Sequence, residues 1–371
     1  MAALLSCGWA VFQWFNLSPQ AMWKAYQKEE RLAGRSLDPQ AYISSQLDAD
    51  EDAARHPAFV QLLALPASAF PTGLDSFDSD PEAGLAMLKG LDPLLTEFRL
   101  ALSRPALKLS PAEMLRMKEI AEALMFRARF QLALENGDLD FALEDCLVQL
   151  RLAELLLADE APDSQLTGVA IVGILQFAVG RGVGSDALNW RDSDLVVLIE
   201  KFQRISQLAT WMENLPRWRA LEMHQLFTSS PPRSRRDIQD MIRLSTYLCQ
   251  WLDAWDPTEL KIDRERIPEM PALAKEEYRE LAERARNTIG DIIEIEGRHE
   301  SLLAFLAIDR WILKSGSVPA ALSALVPDHL SNLPKSFDGT VYGYRILSKD
   351  SVELTYRTLD GSDTTVRNRS N

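Results

Sequence analysis

The chain has 371 residues, 47% of them hydrophobic and 25% charged. That balance belongs to a soluble globular protein long enough for two domains and a sizeable core. With 54 acidic side chains against 40 basic ones the formal charge is −14, which excludes non-specific binding to DNA or RNA, since phosphate contact needs clustered Lys and Arg.

Residues 2–15 form an apolar run interrupted by Ser6 and Gln13. The run is shorter than the roughly 20 residues of a membrane span. No basic segment precedes it, so a complete signal peptide is not expected. Two readings stand: a hydrophobic helix packed on the body, or the remnant of a membrane anchor. Leu4-Leu5-Ser6-Cys7 is similar to the end of a bacterial lipobox with three residues before it, which adds lipidation at Cys7 as a third.

Ser18-Pro19 starts a helix that carries Met22, Trp23 and Tyr26 and ends near Gly34. Short helices are predicted at 39–47 and 50–64, a surface loop at 66–82 and a helix at 82–102. The acids Asp75, Asp78, Asp80 and Glu82 suggest a cation loop. The EF-hand pattern fails, however, with Ala83 in the glycine place and Lys89 in the terminal glutamate place.

The stretch Ser110–Asp159 organises the chain. Ser110-Pro111-Ala112-Glu113 combines an N-cap hydroxyl, proline at the first helical position and a capping-box glutamate. Met117, Ile120, Ala121, Leu124 and Ala128 then share one helix face. Asn136-Gly137 predicts a stop with glycine left-handed at C′, and Asp138 can cap the next helix. Leu139, Leu143, Cys146, Leu147, Leu150, Ala153 and Leu157 line that helix. So short a corner makes the pair antiparallel. The pair resembles a tetratricopeptide-type hairpin through Ala121, Ala128, Ala142 and Gly137-Asp138. The resemblance covers one hairpin, lacks the usual aromatic positions, and shows no second copy at a fixed period.

Leu166–Val179 is apolar all round and too short for a bilayer, so it predicts a helix buried among others. Gly180-Arg-Gly182-Val-Gly184 lacks both the dinucleotide and the P-loop fingerprints and reads as a helix end. Helices are predicted at 192–212, 216–227 and 235–254. The basic group Arg233, Arg235 and Arg236 reads as a solvated loop and helix start. Trp251 and Trp255 are expected to share a face, and residues 256–271, with three prolines, form a break. A long helix is predicted over 272–314, with interruptions possible at Gly290 and Gly297. Cys146 and Cys249 sit in apolar patterns as small hydrophobes. His299-Glu300 lacks the second histidine of a zinc-protease helix, since Leu303 stands there. Glu294 and Glu296 form a carboxylate pair too ordinary in so acidic a chain to nominate acid–base work.

Beyond Gly316 the periodicity changes. Val341, Tyr342, Tyr344 and Ile346, then Val352, Leu354 and Tyr356, alternate as strands do around a turn at Ser348-Lys349-Asp350. Gly316-Ser317-Val318-Pro319, Leu322, Leu325, Pro327, Leu333-Pro334, Phe337-Asp338-Gly339 and Tyr342-Gly-Tyr344 resemble the soluble end of type II secretion major pseudopilins, over about 298–363. The same tail behind a helical region resembles a group of uncharacterised bacterial envelope proteins. The pseudopilin resemblance implies a helix packed on a small antiparallel sheet, and a calcium site after the last strands for which Asp360 and Asp363 are the candidates. The further acids of that family's site are missing here, and an ordinary Asp-Gly turn is the alternative.

The expected fold is mainly α: an irregular antiparallel helical domain with a small C-terminal α+β module containing a β-hairpin. The expected division is 1–34, 35–314 and 315–371, the last packed on the helix 298–314. No cofactor is expected. The expected function is a non-enzymatic interaction or scaffold protein of the bacterial cell envelope, with a protein or peptide partner, no nucleic acid, and possible membrane association through the N-terminus. The alternatives are an enzyme with a site assembled between helices, a pseudopilin-related secretion component, and a cytoplasmic location.

Overall fold

The computed structural model describes residues 18–39, 50–66, 70, 81–134, 136–159, 161–182 and 190–368. The expectations for 2–15 and Cys7, for the helix at 39–47 beyond its first residue, for most of the loop at 66–82 with Asp75, Asp78 and Asp80, and for Gly184 lie outside them. The helices are α1 (Pro19–Leu32), α2 (Pro57–Ala64), α3 (Pro81–Leu88), α4 (Asp92–Ala101), α5 (Pro111–Ala133), α6 (Leu139–Ala158), α7 (Pro162–Gly182), α8 (Asp192–Phe202), α9 (Gln207–Ser229), α10 (Arg235–Ala254) and α11 (Glu276–Ser315). A two-residue ribbon, β1 (Trp255–Asp256) with β2 (Lys261–Ile262), follows α10. The strands β3 (Gly343–Ile346), β4 (Val352–Arg357) and β5 (Asp363–Arg367) close the chain as one antiparallel sheet with β4 in the centre. The protein is thus mainly helical with a small C-terminal sheet, the class its periodicities imply. Among the described residues no helix is long and apolar enough to cross a membrane.

The backbone divides into two compact units, one drawn from Met1–Ser44 and Trp211–Ile289, the other from Ser45–Thr210 and Gly290–Asn371. In the first, Ser18 caps α1 by accepting the Ala21 N–H at 3.2 Å. Met22, Trp23 and Tyr26 are buried against α10, and Trp23 stacks on Phe227 at 5.9 Å. Helix α10 has the predicted bounds because Ser234 accepts the Asp237 N–H while Asp237 accepts the Ser234 N–H. Trp251 is buried in it. Trp255 does not extend that face, since the chain has already turned into β1.

In the second unit α5, α6 and α7 pack on one another. The Ser110 N–H donates to the Glu113 carboxylate at 2.6 Å and Asp138 accepts the Phe141 N–H at 3.0 Å, so the hairpin's starts are those the sequence encodes. Its stop is different. Gly137 does not adopt the left-handed conformation. Glycine is required there because a Cβ would collide with the Gln131 carbonyl. Ile171, Val172, Leu175 and Val179 of α7 are fully buried, each stabilising by roughly 1.5–3 kcal/mol relative to exposure.

Several expected helices are broken. The 50–64 helix divides into a 3₁₀ turn at Ala53–Arg55 and α2, because the residue before Pro57 is held extended and the His56 ring accepts the Ala58 N–H at 3.2 Å. The 82–102 helix divides at the 3₁₀ turn Lys89–Leu91. The expected 192–212 helix ends instead at Phe202, and α9 runs through Pro216. Glu296, remote in sequence, sets that boundary by accepting the Ser206 hydroxyl and the Gln207 N–H, both at 2.9 Å.

Helix α11 is not interrupted at its glycines. Gly297 instead makes room for the ring of Tyr356 on β4, which a Cβ would strike, and Gly290 faces Leu359. Tyr342 stacks on Tyr356 at 5.5 Å and donates its hydroxyl to the Gly297 carbonyl at 2.9 Å. Leu354 and Val352 are buried alongside. The expected hairpin is present as β3–β4 with Tyr344 opposite Leu354. The third strand, β5, was not expected, because Asp-Thr-Thr-Val-Arg carries too little apolar alternation to signal one.

Candidate functional site

Three titratable groups perturbed by burial lie one turn apart on α11, in the second unit. Glu296, His299 and Glu300 share the helix face that continues to Leu303, a spacing that places all of them on the apolar side. Burial raises the Glu296 carboxyl against the donors Ser206, Gln207 and Leu208 that hold it. Burial, aided by the neighbouring Glu296, pushes the half-buried Glu300 up to about 8. His299 is fully buried and burial lowers it to about 4, despite its Nε2–H donating to the Phe202 carbonyl at 3.0 Å. The set therefore contains a neutral imidazole and, at neutral pH, a largely protonated carboxyl. Such a group can donate a proton, and Glu296 is tied up as a helix cap.

Two other clusters of buried charge are ion pairs. In the second unit Arg127 donates to Asp145 at 2.7 and 2.5 Å and to Asp92 at 2.5 Å, with its guanidinium 4.4 Å from the Phe141 ring centre. In the first unit Arg219 is fully buried and donates to Glu30 at 2.7 Å, with Arg35 on the same carboxylate. Cys249 lies beside that pair, and burial pushes its thiol up to about 11. Cys146 is also buried, and its thiol is raised by burial and Asp145. Cys146 packs as the small hydrophobe its position suggests, whereas the Cys249 thiol donates to Glu30 at 3.6 Å and so belongs to the ion pair. These thiols lack the thiolate character a nucleophile needs.

Among the described residues, depressions that open to solvent include a polar one and an apolar one. The polar one, about 540 Å³, lies in the first unit and is lined by Ser229, Ser230, Arg233, Asp237, Lys275 and Glu277 among others. Its charges are mutually engaged: Lys275 pairs with Asp237 at 3.4 Å and Glu277 at 3.6 Å, and Ser230 donates to Glu277 at 3.2 Å. Arg233 and Arg236 stand exposed at the start of α10. The apolar one, about 390 Å³, lies in the second unit between the end of α4 and the middle of α6. Leu102, Leu147 and Val148 line it, with Arg99 and Arg151 on its walls. Arg151 is fixed by donating to the Leu102 carbonyl at 3.1 Å and the Arg104 carbonyl at 3.3 Å.

At the candidate calcium position, Asp360 spends one oxygen on its own turn, accepting from the Thr358 hydroxyl at 2.6 Å, the Ser362 N–H at 2.9 Å and the Ser362 hydroxyl at 2.8 Å. Those donors hold its carboxyl down at about 2. Asp363 lies on β5, 3.6 Å from Arg357. Gly361 is left-handed at φ 85°, as an Asp-Gly turn requires. Among the described residues no group of three or more His, Cys, Asp or Glu side chains could hold a metal ion.

The sequence treated Glu296 as unremarkable and His299-Glu300 as a failed metal motif. The recoverable signal was polar residues on the apolar face of a long helix. Compared with protein-family models, with curated proteins and with solved structures, the chain matches none.

Proposed function

We propose that this protein is a non-enzymatic interaction or scaffold protein of the bacterial cell envelope, and that its second unit takes a protein or peptide partner in the groove between α4 and α6. The observation that carries the reading is that groove. Its floor is apolar, through Leu102, Leu147 and Val148, and its walls carry Arg99, paired with Glu144 and Asp145, and Arg151, paired with Glu154. With those arginines neutralised within the chain, a helix or extended segment presenting one apolar anchor in a polar surround has the complementary chemistry. The envelope assignment rests on the resemblance of the C-terminal sequence to pseudopilins and to envelope proteins.

The test is a photo-crosslinking residue at Leu147 in the full-length protein in its own cells, with fractionation of the product. A single partner segment with an apolar anchor, cross-linked in the membrane or periplasmic fraction, supports the proposal. An uncross-linked protein confined to the cytosol defeats it. Glu300 favours a second reading, an enzyme using that carboxyl as a general acid. That reading requires Glu300→Gln to abolish a function that Leu147→Arg leaves intact.

A further inference from the structure

The C-terminal sheet ends in an edge, and that edge is complementary to itself. In the order β3–β4–β5, the outer side of β5 belongs to no strand pair among the described residues. Its hydrogen-bonding phase is fixed at both ends: the Thr358 N–H donates to the Ser362 carbonyl at 2.9 Å, and the Asn368 N–H to the Val352 carbonyl at 3.4 Å. Alternation along an antiparallel strand therefore turns the backbone groups of Ser362, Thr364, Val366 and Asn368 toward β4. Those of Asp363, Thr365 and Arg367 are directed to the open side. The side chains of these three stand on the face away from α11 and are exposed. Asn368, on the other face, is buried.

We infer that β5 pairs antiparallel with β5 of a second copy of this chain, about a two-fold axis through Thr365, joining two three-stranded sheets into one of six. Three features of the strand select that occupant. Centring on Thr365 sets outward-bonding residues opposite outward-bonding residues, so the ladder is in phase. The same register places Asp363 opposite Arg367 of the second copy and Arg367 opposite its Asp363, which is charge complementarity at both ends of the pair. Both side chains keep free surface despite their internal pairs, Asp363 at 59% and Arg367 at 55% exposure. A five-residue edge is small beside a standard protein interface, so the dimer is weak and concentration-dependent. The inference is independent of the groove between α4 and α6, which lies elsewhere in the unit.

Sedimentation equilibrium of the full chain, to about 200 µM, tests the pairing through charge. Asp363→Arg alone opposes Arg to Arg across the axis, and Arg367→Asp alone opposes Asp to Asp, so each is expected to be monomeric where the wild type dimerises. Mixed one to one, the two variants place Arg opposite Asp at both ends and are expected to recover dimers. Thr365→Pro removes a central outward N–H, at an edge position where proline is tolerated, and is expected to be monomeric with unchanged circular dichroism. A wild-type chain monomeric throughout the range overturns the inference. So does a dimer that survives the single charge variants, or a mixture that stays monomeric.

Discussion

Replacing Gly297 by alanine sets two opposed and separable effects against each other. Alanine in a helix interior stabilises by about 1 kcal/mol relative to glycine, and α11 continues unbroken on both sides of this residue. The new Cβ, however, meets the ring of Tyr356. That ring is 2% exposed and stacked on Tyr342, whose hydroxyl is held by the Gly297 carbonyl, so it has little freedom to retreat. Overpacking of this kind costs about 1–3 kcal/mol, and clash should outweigh propensity. Gly297→Ala is expected to destabilise the second unit by up to about 2 kcal/mol. With the ring removed, the sign should invert: in a Tyr356→Ala background the same substitution should stabilise by up to about 1 kcal/mol. Urea unfolding of the four proteins of this cycle, followed by far-ultraviolet circular dichroism, measures both values. A stabilising effect of Gly297→Ala in the wild type would refute the close approach of sheet and helix.

The buried ion pair gives a second test: Asp145→Asn leaves the buried Arg127 with Asp92 as its one counter-charge and should cost up to about 3–5 kcal/mol, whereas Arg127→Met with Asp145→Leu should recover most of that loss in the same unfolding assay. A third concerns alkaline pH. The Glu300 carboxyl is raised on folding, so its contribution is fully present below the ordinary glutamate range and is lost as pH rises toward about 8. Glu300→Gln should therefore flatten the fall in stability between pH 5 and 9, expected at a few kcal/mol from a shift of this size (roughly 1.4 kcal/mol per pH unit). The acid limb has the opposite sign. His299 is lowered to about 4, so the unfolded chain takes up its proton first and stability falls as pH drops from 6.5 toward 4. His299→Gln should remove that dependence, with unfolding midpoints at pH 4.5 and 7 as the readout.

Local signals were legible where the partner groups are close in sequence. Ser18-Pro19, Ser110-Pro111 with Glu113, Asp138, and Ser234 with Asp237 each carry their cap within one helical turn, and each starts a helix in its expected place. Boundaries set from afar were not legible. The gap between α8 and α9 depends on Glu296, about 90 residues downstream of Ser206 by its hydrogen bond, and no propensity at 203–206 announces it. Glycine was misread where its reason was a close approach: Gly137 yields to the carbonyl of Gln131 in the helix just before it and Gly297 to the ring of the distant Tyr356, and neither breaks or ends a helix by its own conformation. The groove at Leu147 was invisible for a similar reason. Leu147 lies on the same stripe as Cys146 and Leu150, and only the end of α4 shows that it is left partly uncovered.

The interaction reading meets its most direct test in affinity. With the segment recovered by cross-linking at Leu147 synthesised as a peptide, its dissociation constant is measured for the wild type, Leu147→Arg and Glu300→Gln by titration calorimetry. A groove that anchors the partner predicts a loss of about tenfold or more for Leu147→Arg, equivalent to about 1.4 kcal/mol, and no change for Glu300→Gln. Unchanged binding by Leu147→Arg, or a loss confined to Glu300→Gln, would contradict it and move the functional site to α11.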